Sequence, residues 1–395
     1  MSTLLAVLRF VYGLVDWILP AGVREYLKSP YISYHRRRSW ESRRLALPYW
    51  EREVAGPSPN GEVRVGFVGA GTYARHHLEV LTSLPGVRIA SILTTGGPLV
   101  AEVAQKYGIH DVFTDLKKFS SQTDVDCFVV VVSAPMINSV ATSVLNTGRP
   151  VLMEKPAGFS SRDTADLASE AELAGTFGVV GLNRRFYSVL EHGLAALADC
   201  GPIRGAVVED HIAITKDRNS GRLTESEYDG MMFRNGVHGI DLLRYVLGDV
   251  RTVHSAAIPN AEFGYASASF SSILEHESGA LSTYAAFWDT SPVTRIRIIA
   301  EQGSVQLDPL EKGWFTNAEG LRIPLRIDPV DEKFRMGLYA QDRLFIDSVR
   351  QRKRPQLPAC LLPDAVETNR LIEKILSNNL TATGAIIEPV QAAAG

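Results

Sequence analysis

Residues 63–74 read VRVGFVGAGTYA. The first six alternate around β-branched positions, the pattern of a buried strand. Gly69, Gly71 and Ala74 then stand at the spacing G-x-G-x-x-A, and the chain runs on as a helical stretch to Leu84. In a strand–turn–helix context these positions have separate physical tasks. Gly69 permits the tight turn, Gly71 lets backbone approach a pyrophosphate seated on the helix N-terminus, and Ala74 lets helix and strand pack closely. Thr72 and Tyr73 belong to the same turn and join the expected dinucleotide-binding residues.

Working outward, a second strand runs from Val87 to Leu93 and ends in Thr94-Thr95-Gly96-Gly97. An acidic residue about 20 positions past the fingerprint ordinarily binds the adenosine ribose. No carboxylate stands here, so nothing repels a 2′-phosphate. Thr94 and Thr95 supply hydrogen-bond donors and Arg75 a charge, which leans the reading slightly to NADP over NAD. Helix and strand patterns then alternate: helix 99–107, strand 112–113, helix 115–121, strand 125–132, helix 137–147, strand 151–153. The run VDCFVVVV is apolar almost throughout, as in the middle of a parallel sheet covered on both faces. Ser133 follows it. Such alternation predicts an α/β fold with a doubly wound parallel sheet.

The whole chain has 395 residues, 45% apolar and 22% charged. That length suits two domains, and that apolar fraction excludes wholesale disorder. With 41 basic and 44 acidic residues the net charge is −3, which provides no field for a phosphate backbone, so nucleic acid is not expected as a partner. Cys127, Cys200 and Cys360 lie far apart, forming neither a disulfide framework nor a zinc site, as suits a reducing, cytoplasmic setting.

Residues 4–19, LLAVLRFVYGLVDWIL, are too short for a hydrocarbon core of roughly 30 Å and carry Arg9 and Asp16. No basic residue precedes the apolar run within a secretory pattern. Two readings stay open: an arm packed on the protein's own body or on a second subunit, or, with the basic residues through Arg44, a peripheral contact with an anionic membrane surface. AGPSPNG at 55–61 reads as a linker. The expected division is an appendage at 1–60, a dinucleotide-binding domain at 61–182, an α+β domain at 183–380 and a tail at 381–395.

The strand at 151–153 ends in Glu154-Lys155-Pro156. This places a lysine at the strand edge where open α/β sheets bind ligands, although most lysines are simply solvated. With GFVGAGTYARHHLEVL, GRPVLMEKPAGFSSRDTADL and NGVHGIDLLRYVLG, the chain resembles the Gfo/Idh/MocA oxidoreductases over about residues 63–380. The resemblance implies a Rossmann domain followed by an α+β domain with a large, mostly antiparallel sheet that often mediates dimers or tetramers. It implies that Lys155, commonly beside a cis Lys–Pro bond, touches nicotinamide and substrate, and that Glu154 and Ser133 lie near the cofactor. Family substrates are mostly sugars, polyols and sugar nucleotides. GLNRRFYS at 181–188 looks like the family's next strand, bringing Arg184, Arg185 and Tyr187 to the substrate wall.

The third stretch departs from the family at one position. Gly230, Gly236, His238 and Asp241 match, but the frequent catalytic Asp, four residues before the histidine, is Arg234. Asp241 is expected to orient the histidine or cap its helix. An Arg at 234 favours neutral imidazole and suits an anionic substrate group. Arg234 and Asn235 therefore join the substrate candidates, and Lys155 and His238 are the expected catalytic pair. The same departure keeps open an inactive dinucleotide- or sugar-binding protein of this fold. Val132-Ser133-Ala134-Pro135 is a second departure, replacing the family's Thr-Pro-Asn.

Beyond Gly205, alternating segments at 205–214, 251–258, 266–274, 279–288 and 294–300 follow one another, predicting an antiparallel or mixed sheet. Helix 238–247 carries His238 at its start. Helices 333–352 and 363–378 close the chain and are expected to return to the first domain.

Overall fold

The computed structural model describes residues 61–122, 124–214, 230–260, 264–377 and 379–381. Its first sheet contains β1 (Val63–Val68), β2 (Val87–Leu93), β3 (Asp111–Phe113), β4 (Cys127–Val130), β5 (Val151–Met153) and β6 (Gly178–Val180), all parallel, in the order β6-β5-β4-β1-β2-β3. The order reverses between β1 and β4, where Val65 pairs with Cys127 and Val68 with Val130. Ligands of doubly wound sheets bind in the crevice that such a reversal opens at the strands' carboxyl ends. The strands are apolar on both faces because helices cover both: Val65, Phe67, Phe128, Val129 and Leu152 are fully buried. Helices α1 (Thr72–Ser83), α2 (Pro98–Tyr107), α3 (Leu116–Gln122), α4 (Ala134–Leu145) and α5 (Ser161–Leu173) make the crossovers.

Two boundaries differ from expectation for local reasons. Strand β4 is shorter than the apolar run, because Ser133 is already the N-cap residue of α4 and Pro135 sits in that helix's first turn, where its missing N–H costs nothing. Residues 181–188 are not a strand. Strand β6 ends at Val180, and a 3₁₀ turn at Asn183–Phe186 leads into α6 (Ser188–Ala196). The Asn183 amide donates to the Met336 carbonyl at 3.0 Å, so this stretch is anchored to a distant segment rather than to a sheet neighbour.

The second sheet is mixed. It contains β7 (Ile203–His211), β8 (Val250–Asn260), β9 (Gly264–His276), β10 (Leu281–Ala286), β11 (Val293–Ala300), β12 (Gly303–Leu307), β13 (Gly313–Asn317) and β14 (Arg322–Pro324). The order is β14-β13-β12-β11-β7-β10-β9-β8, antiparallel except where β7 meets β10. The last three of these strands extend the sheet beyond the segments legible as alternation. A π-helical turn at Met232–Gly236 runs into α7 (Val237–Leu247), which lies against this sheet. Glycines permit that approach: a Cβ on Gly236 would stand 2.8 Å from the Tyr284 hydroxyl, and one on Gly239 3.0 Å from the Val208 side chain.

After α8 (Pro329–Lys333), helix α9 (Leu338–Gln351) packs on α1, and β15 (Cys360–Leu361) pairs antiparallel with β6 at the edge of the first sheet. Helix α10 (Leu362–Ser377) packs on α5 and α7, and β16 (Asn379–Thr381) pairs with β8. The closing segment thus returns to the first sheet and ties it to the second. Cys127, Cys200 and Cys360 are buried free thiols. Residues 4–44, read as an arm or a membrane contact, lie outside the described residues. Among the described residues no helix is long and apolar enough to cross a membrane.

Candidate active site

The fingerprint turn is shaped by two different demands. Gly69 has φ +113°, and a Cβ there would lie 1.9 Å from the Val131 carbonyl oxygen, so only glycine fits between β1 and β4. Gly71 is the opposite case, with nothing within 4 Å of where a Cβ would stand. It is the N-cap residue of α1, its position carries no side-chain cap, and the first turn of α1 holds no acidic residue. The helix end therefore offers its positive pole and its backbone N–H groups to an open space, as a pyrophosphate requires. Thr72 is exposed beside it, Ala74 is fully buried against β1, and the Tyr73 ring lies beneath the Arg335 guanidinium at 5.1 Å. These residues fit a dinucleotide. At the end of β2, Thr94 is buried and its hydroxyl accepts a hydrogen bond from Gly96 N–H at 3.0 Å, while Thr95 is exposed. Arg75, the charge expected to serve that end, lies 3.7 Å from Glu102.

At the end of β5 the Lys155–Pro156 bond is cis. The Lys155 amine donates to the Arg234 carbonyl oxygen at 2.8 Å, bridging from the first sheet to the turn that precedes α7. Burial lowers its pKa to about 8. Glu154 opposes the shift, and the Arg184 and Arg234 guanidiniums add to it. Glu154 is buried, and its Oε1 lies 3.2 Å from His77 Nε2, whose Nδ1 lies 2.8 Å from Asp342 Oδ2. Burial works against a charged His77, but Asp342 and Glu154 outweigh it and raise its pKa to about 10. An imidazolium clamped between two buried carboxylates thus fixes the glutamate that precedes the lysine.

His238, on the first turn of α7, is 7% exposed, and its Nδ1 is buried with no hydrogen-bond partner. Burial holds its pKa well below the ordinary value, helped by the positive charges of Arg184, Lys155 and Arg335. It is neutral at physiological pH and able to accept a proton. The opposite wall comes from β7, where Asp210 is 2% exposed. Its Oδ1 accepts from the Thr294 hydroxyl at 3.0 Å and lies 4.0 Å from Arg184 Nη1.

The sequence candidates separate here. Lys155, Arg234 and His238 are brought together, the Lys155 amine on the Arg234 carbonyl and within electrostatic reach of His238, while the adjacent Glu154 is turned to His77. Arg185 does not join them: it is 1% exposed, grips Asp241 at 2.7 and 2.5 Å and Asp364 at 2.7 Å, and lies over the Tyr245 ring. Its donors are committed to holding α7 and α10, and its neighbour Arg184 is the guanidinium that faces Lys155. Asp241 is likewise taken by Arg185 and by the Thr368 hydroxyl at 3.1 Å. Tyr187 is buried, with its phenol pKa raised by burial and drawn back by Arg184 and Arg335. Asn235 is half-buried in the π-helical turn. Ser133 is exposed at the start of α4.

Three residues of this cleft were not read from the sequence. Asp210 carried a signal: along β7 the buried phase of the alternation is Ala206, Val208, Asp210, which puts a carboxylate on an inward face. His77 and Arg335 carried none, because their partners come from distant segments.

Comparison with known proteins agrees with this geometry. Residues 63–182 match the oxidoreductase family with an NAD-binding Rossmann fold, GFO_IDH_MocA, and residues 199–306 match the GFO/IDH/MocA C-terminal domain. A 4-carboxy-2-hydroxymuconate-6-semialdehyde dehydrogenase of Sphingobium is 27% identical over 74% of this chain and 92% of its own length. An inositol 2-dehydrogenase of Saccharopolyspora erythraea is 27% identical over 62% of this chain and 74% of its own length. Among solved structures, an oxidoreductase from Agrobacterium radiobacter in complex with NAD+, L-tartaric acid and magnesium shares the fold, with a TM-score of 0.70 at 17% identity over 80% of this chain and 97% of that one. The two family matches together span more than half of the chain, which belongs to the Gfo/Idh/MocA family of NAD-binding oxidoreductases.

Proposed function

We propose that the protein transfers a hydride between a nicotinamide and a hydroxyl or carbonyl carbon of a sugar, polyol or sugar-nucleotide substrate. What supports this reading is that Lys155, at the carboxyl end of β5 in the sheet that bears the fingerprint turn, bonds to the Arg234 carbonyl just before α7 and lies within electrostatic reach of His238. The nicotinamide, when bound, supplies or accepts the hydride. Gly69, Gly71, Thr72, Tyr73 and Ala74 hold the pyrophosphate end, and Thr94 and Thr95 the adenosine ribose. Ser133, Glu154 and Lys155 border the nicotinamide.

His238, kept neutral by burial and by its cationic neighbours, takes the proton of the substrate hydroxyl in the oxidative direction. The Lys155 ammonium donates a hydrogen bond to the same oxygen and stabilises the negative charge that develops on it. The inositol dehydrogenases among the relatives support a polyol substrate. A short Thr-Thr-Gly-Gly segment without a carboxylate supports use of NADP as well as NAD, with NADP first.

A homodimer or homotetramer accords with the outer face of the second sheet. Ile273 and Leu281 are 52% and 56% exposed there, with Val207 and Ile299 on the same sheet. Light scattering of the purified chain tests this. For the activity, reduced-nicotinamide absorbance is followed with a panel of polyols, sugars and sugar nucleotides in both directions. Turnover that falls by about 10²–10³ in Lys155→Ala, with cofactor binding retained, is the expected result. Turnover equal to that of the parent contradicts the assigned role.

A further inference from the structure

The Glu154 carboxylate joins two elements. Its Oε1 lies 3.2 Å from His77 Nε2, and its Oε2 accepts from the main-chain N–H of Lys155 at 3.3 Å. A Cβ on Gly181 would stand 2.6 Å from Oε1, so glycine leaves the room that this carboxylate occupies. His77 is held from its other side as well, with Nδ1 2.8 Å from Asp342 Oδ2 on α9, and the Gln341 amide donates to Asp342 Oδ1 at 3.3 Å. All three of His77, Glu154 and Asp342 are buried. His77 stands five residues past Thr72, the first residue of α1, so one helix bears the open N-terminus beside Gly71 and, about 7.5 Å further along, this imidazole. A closed path of side chains therefore links the seat of the dinucleotide to the main chain of the lysine.

We propose that His77 is a positioning residue for hydride transfer: through Glu154 it fixes the main chain of Lys155 to the helix that seats the dinucleotide, and it keeps an ionised carboxylate beside the lysine. This rests on the oxidoreductase reading and goes beyond it. Buried charges are costly unless paired, so Glu154 and Asp342 are both ionised only with a cation between them. With a neutral side chain at 77, the two carboxylates share a proton. The balance at the Lys155 amine then changes. Glu154 and Asp210 support its charge, Arg184 and Arg234 oppose it, and His238 from α7 is neutral. A weakened Glu154 leaves the two guanidiniums opposed mainly by Asp210, and the amine gives up its proton at lower pH. His77 itself faces Asp342, Glu154 and the Tyr73 ring, which meets it edge-on with centroids 5.8 Å apart and whose phenol burial keeps protonated.

The test measures kcat, NADH affinity and the pH profile of kcat/KM in the parent, His77→Gln, Glu154→Gln and the double variant. Glu154→Gln is expected to move the alkaline limb down by about one pH unit, the effect of losing one nearby opposite charge. His77→Gln moves it in the same direction and lowers kcat by about 10-fold, through misplacement of the lysine. Its NADH dissociation constant stays within about 3-fold of the parent, because the fingerprint turn is untouched. The double variant shows the limb of Glu154→Gln, since both changes act through one carboxylate. A histidine that only stabilised the fold would lower Tm without moving the limb. In the parent, nitrogen NMR of labelled protein should show an imidazolium persisting at about pH 8.5, where ordinary imidazoles are neutral. That measurement needs no variant, so poor folding of His77→Gln does not spare the proposal. A parental limb in folded His77→Gln, or no imidazolium at that pH in the parent, overturns the role of His77 and leaves the oxidoreductase reading standing. No turnover across the whole panel by parent enzyme that binds NADH overturns the oxidoreductase reading, and the role of His77 with it.

Discussion

The amine of Lys155 and the main-chain carbonyl of Arg234 are joined by a 2.8 Å hydrogen bond that crosses from the first sheet to the turn before α7. The family's usual acid is missing from position 234, but the group that anchors the lysine there is backbone, and the change of side chain leaves it in place. The lysine is therefore held at the domain junction whatever residue occupies 234, and its charge is set by burial and by Glu154, Arg184 and Arg234.

Lys155→Ala is expected to lower kcat by about 10²–10³, the usual cost of removing one donor to a developing oxyanion. Its NADH dissociation constant should stay within about 3-fold of the parent, because the fingerprint turn supplies most of the affinity. Steady-state kinetics and calorimetric titration on the same preparation measure both.

The pH profile should be asymmetric. Lys155 acts as an ammonium and has its pKa lowered to about 8, so kcat/KM is lost as pH rises through that value. His238 acts as a neutral imidazole and its pKa is held well below the ordinary value, so its limb lies on the acid side, well under 6.5. Lys155→Arg removes the alkaline limb, since a guanidinium does not titrate there. An alkaline limb that persists in that variant assigns it to another group.

Arg185 and Asp241 are a structural pair. Asp241→Asn leaves a buried guanidinium short of its partner and should destabilise the fold by about 3–5 kcal/mol, the cost of breaking a buried ion pair. Denaturant unfolding measures this. The KM for substrate should change little, because neither side chain borders the cleft.

His77 gives a pH-dependent contribution to stability. Its pKa is raised in the folded protein, so the contribution is complete below the unfolded value of about 6.5 and is lost as pH rises through about 10. His77→Gln should remove about 1–3 kcal/mol at neutral pH, the range for hydrogen bonds to charged groups. It should also flatten the decline between pH 7 and 10 seen by thermal unfolding of the parent.

The sequence made β1, β2, β4 and β5 legible because each is apolar and followed at once by a helical period, so local pattern and topology agree, whereas β6 was read a few residues late, at 181–188, because a 3₁₀ turn rather than a helix follows it. Gly69 and Gly71 were legible for the same reason. The strands β12–β14 were not: β12 offers only Val305 and Leu307 as a buried phase, β13 is half-buried along its whole length, and β14 is three exposed residues. Arg184 and Arg185 are adjacent and of one type, and only the positions of Asp210, Asp241 and Asp364 decide which of them faces the cleft. His77 became part of the site through Asp342, a residue 265 positions away, a pairing that no local pattern encodes.

Gly71 offers the most direct test of the claim that a dinucleotide lies across this turn. A Cβ there meets no protein atom within 4 Å, so Gly71→Ala should fold with parental stability. It should nevertheless obstruct the approach of a pyrophosphate to the backbone. Calorimetric titration with NADH and NADPH is predicted to give binding to the parent and at least a roughly 10-fold loss in the variant, about 1.4 kcal/mol. Absence of heat with either cofactor in the parent, or equal affinity in parent and variant, would contradict the account.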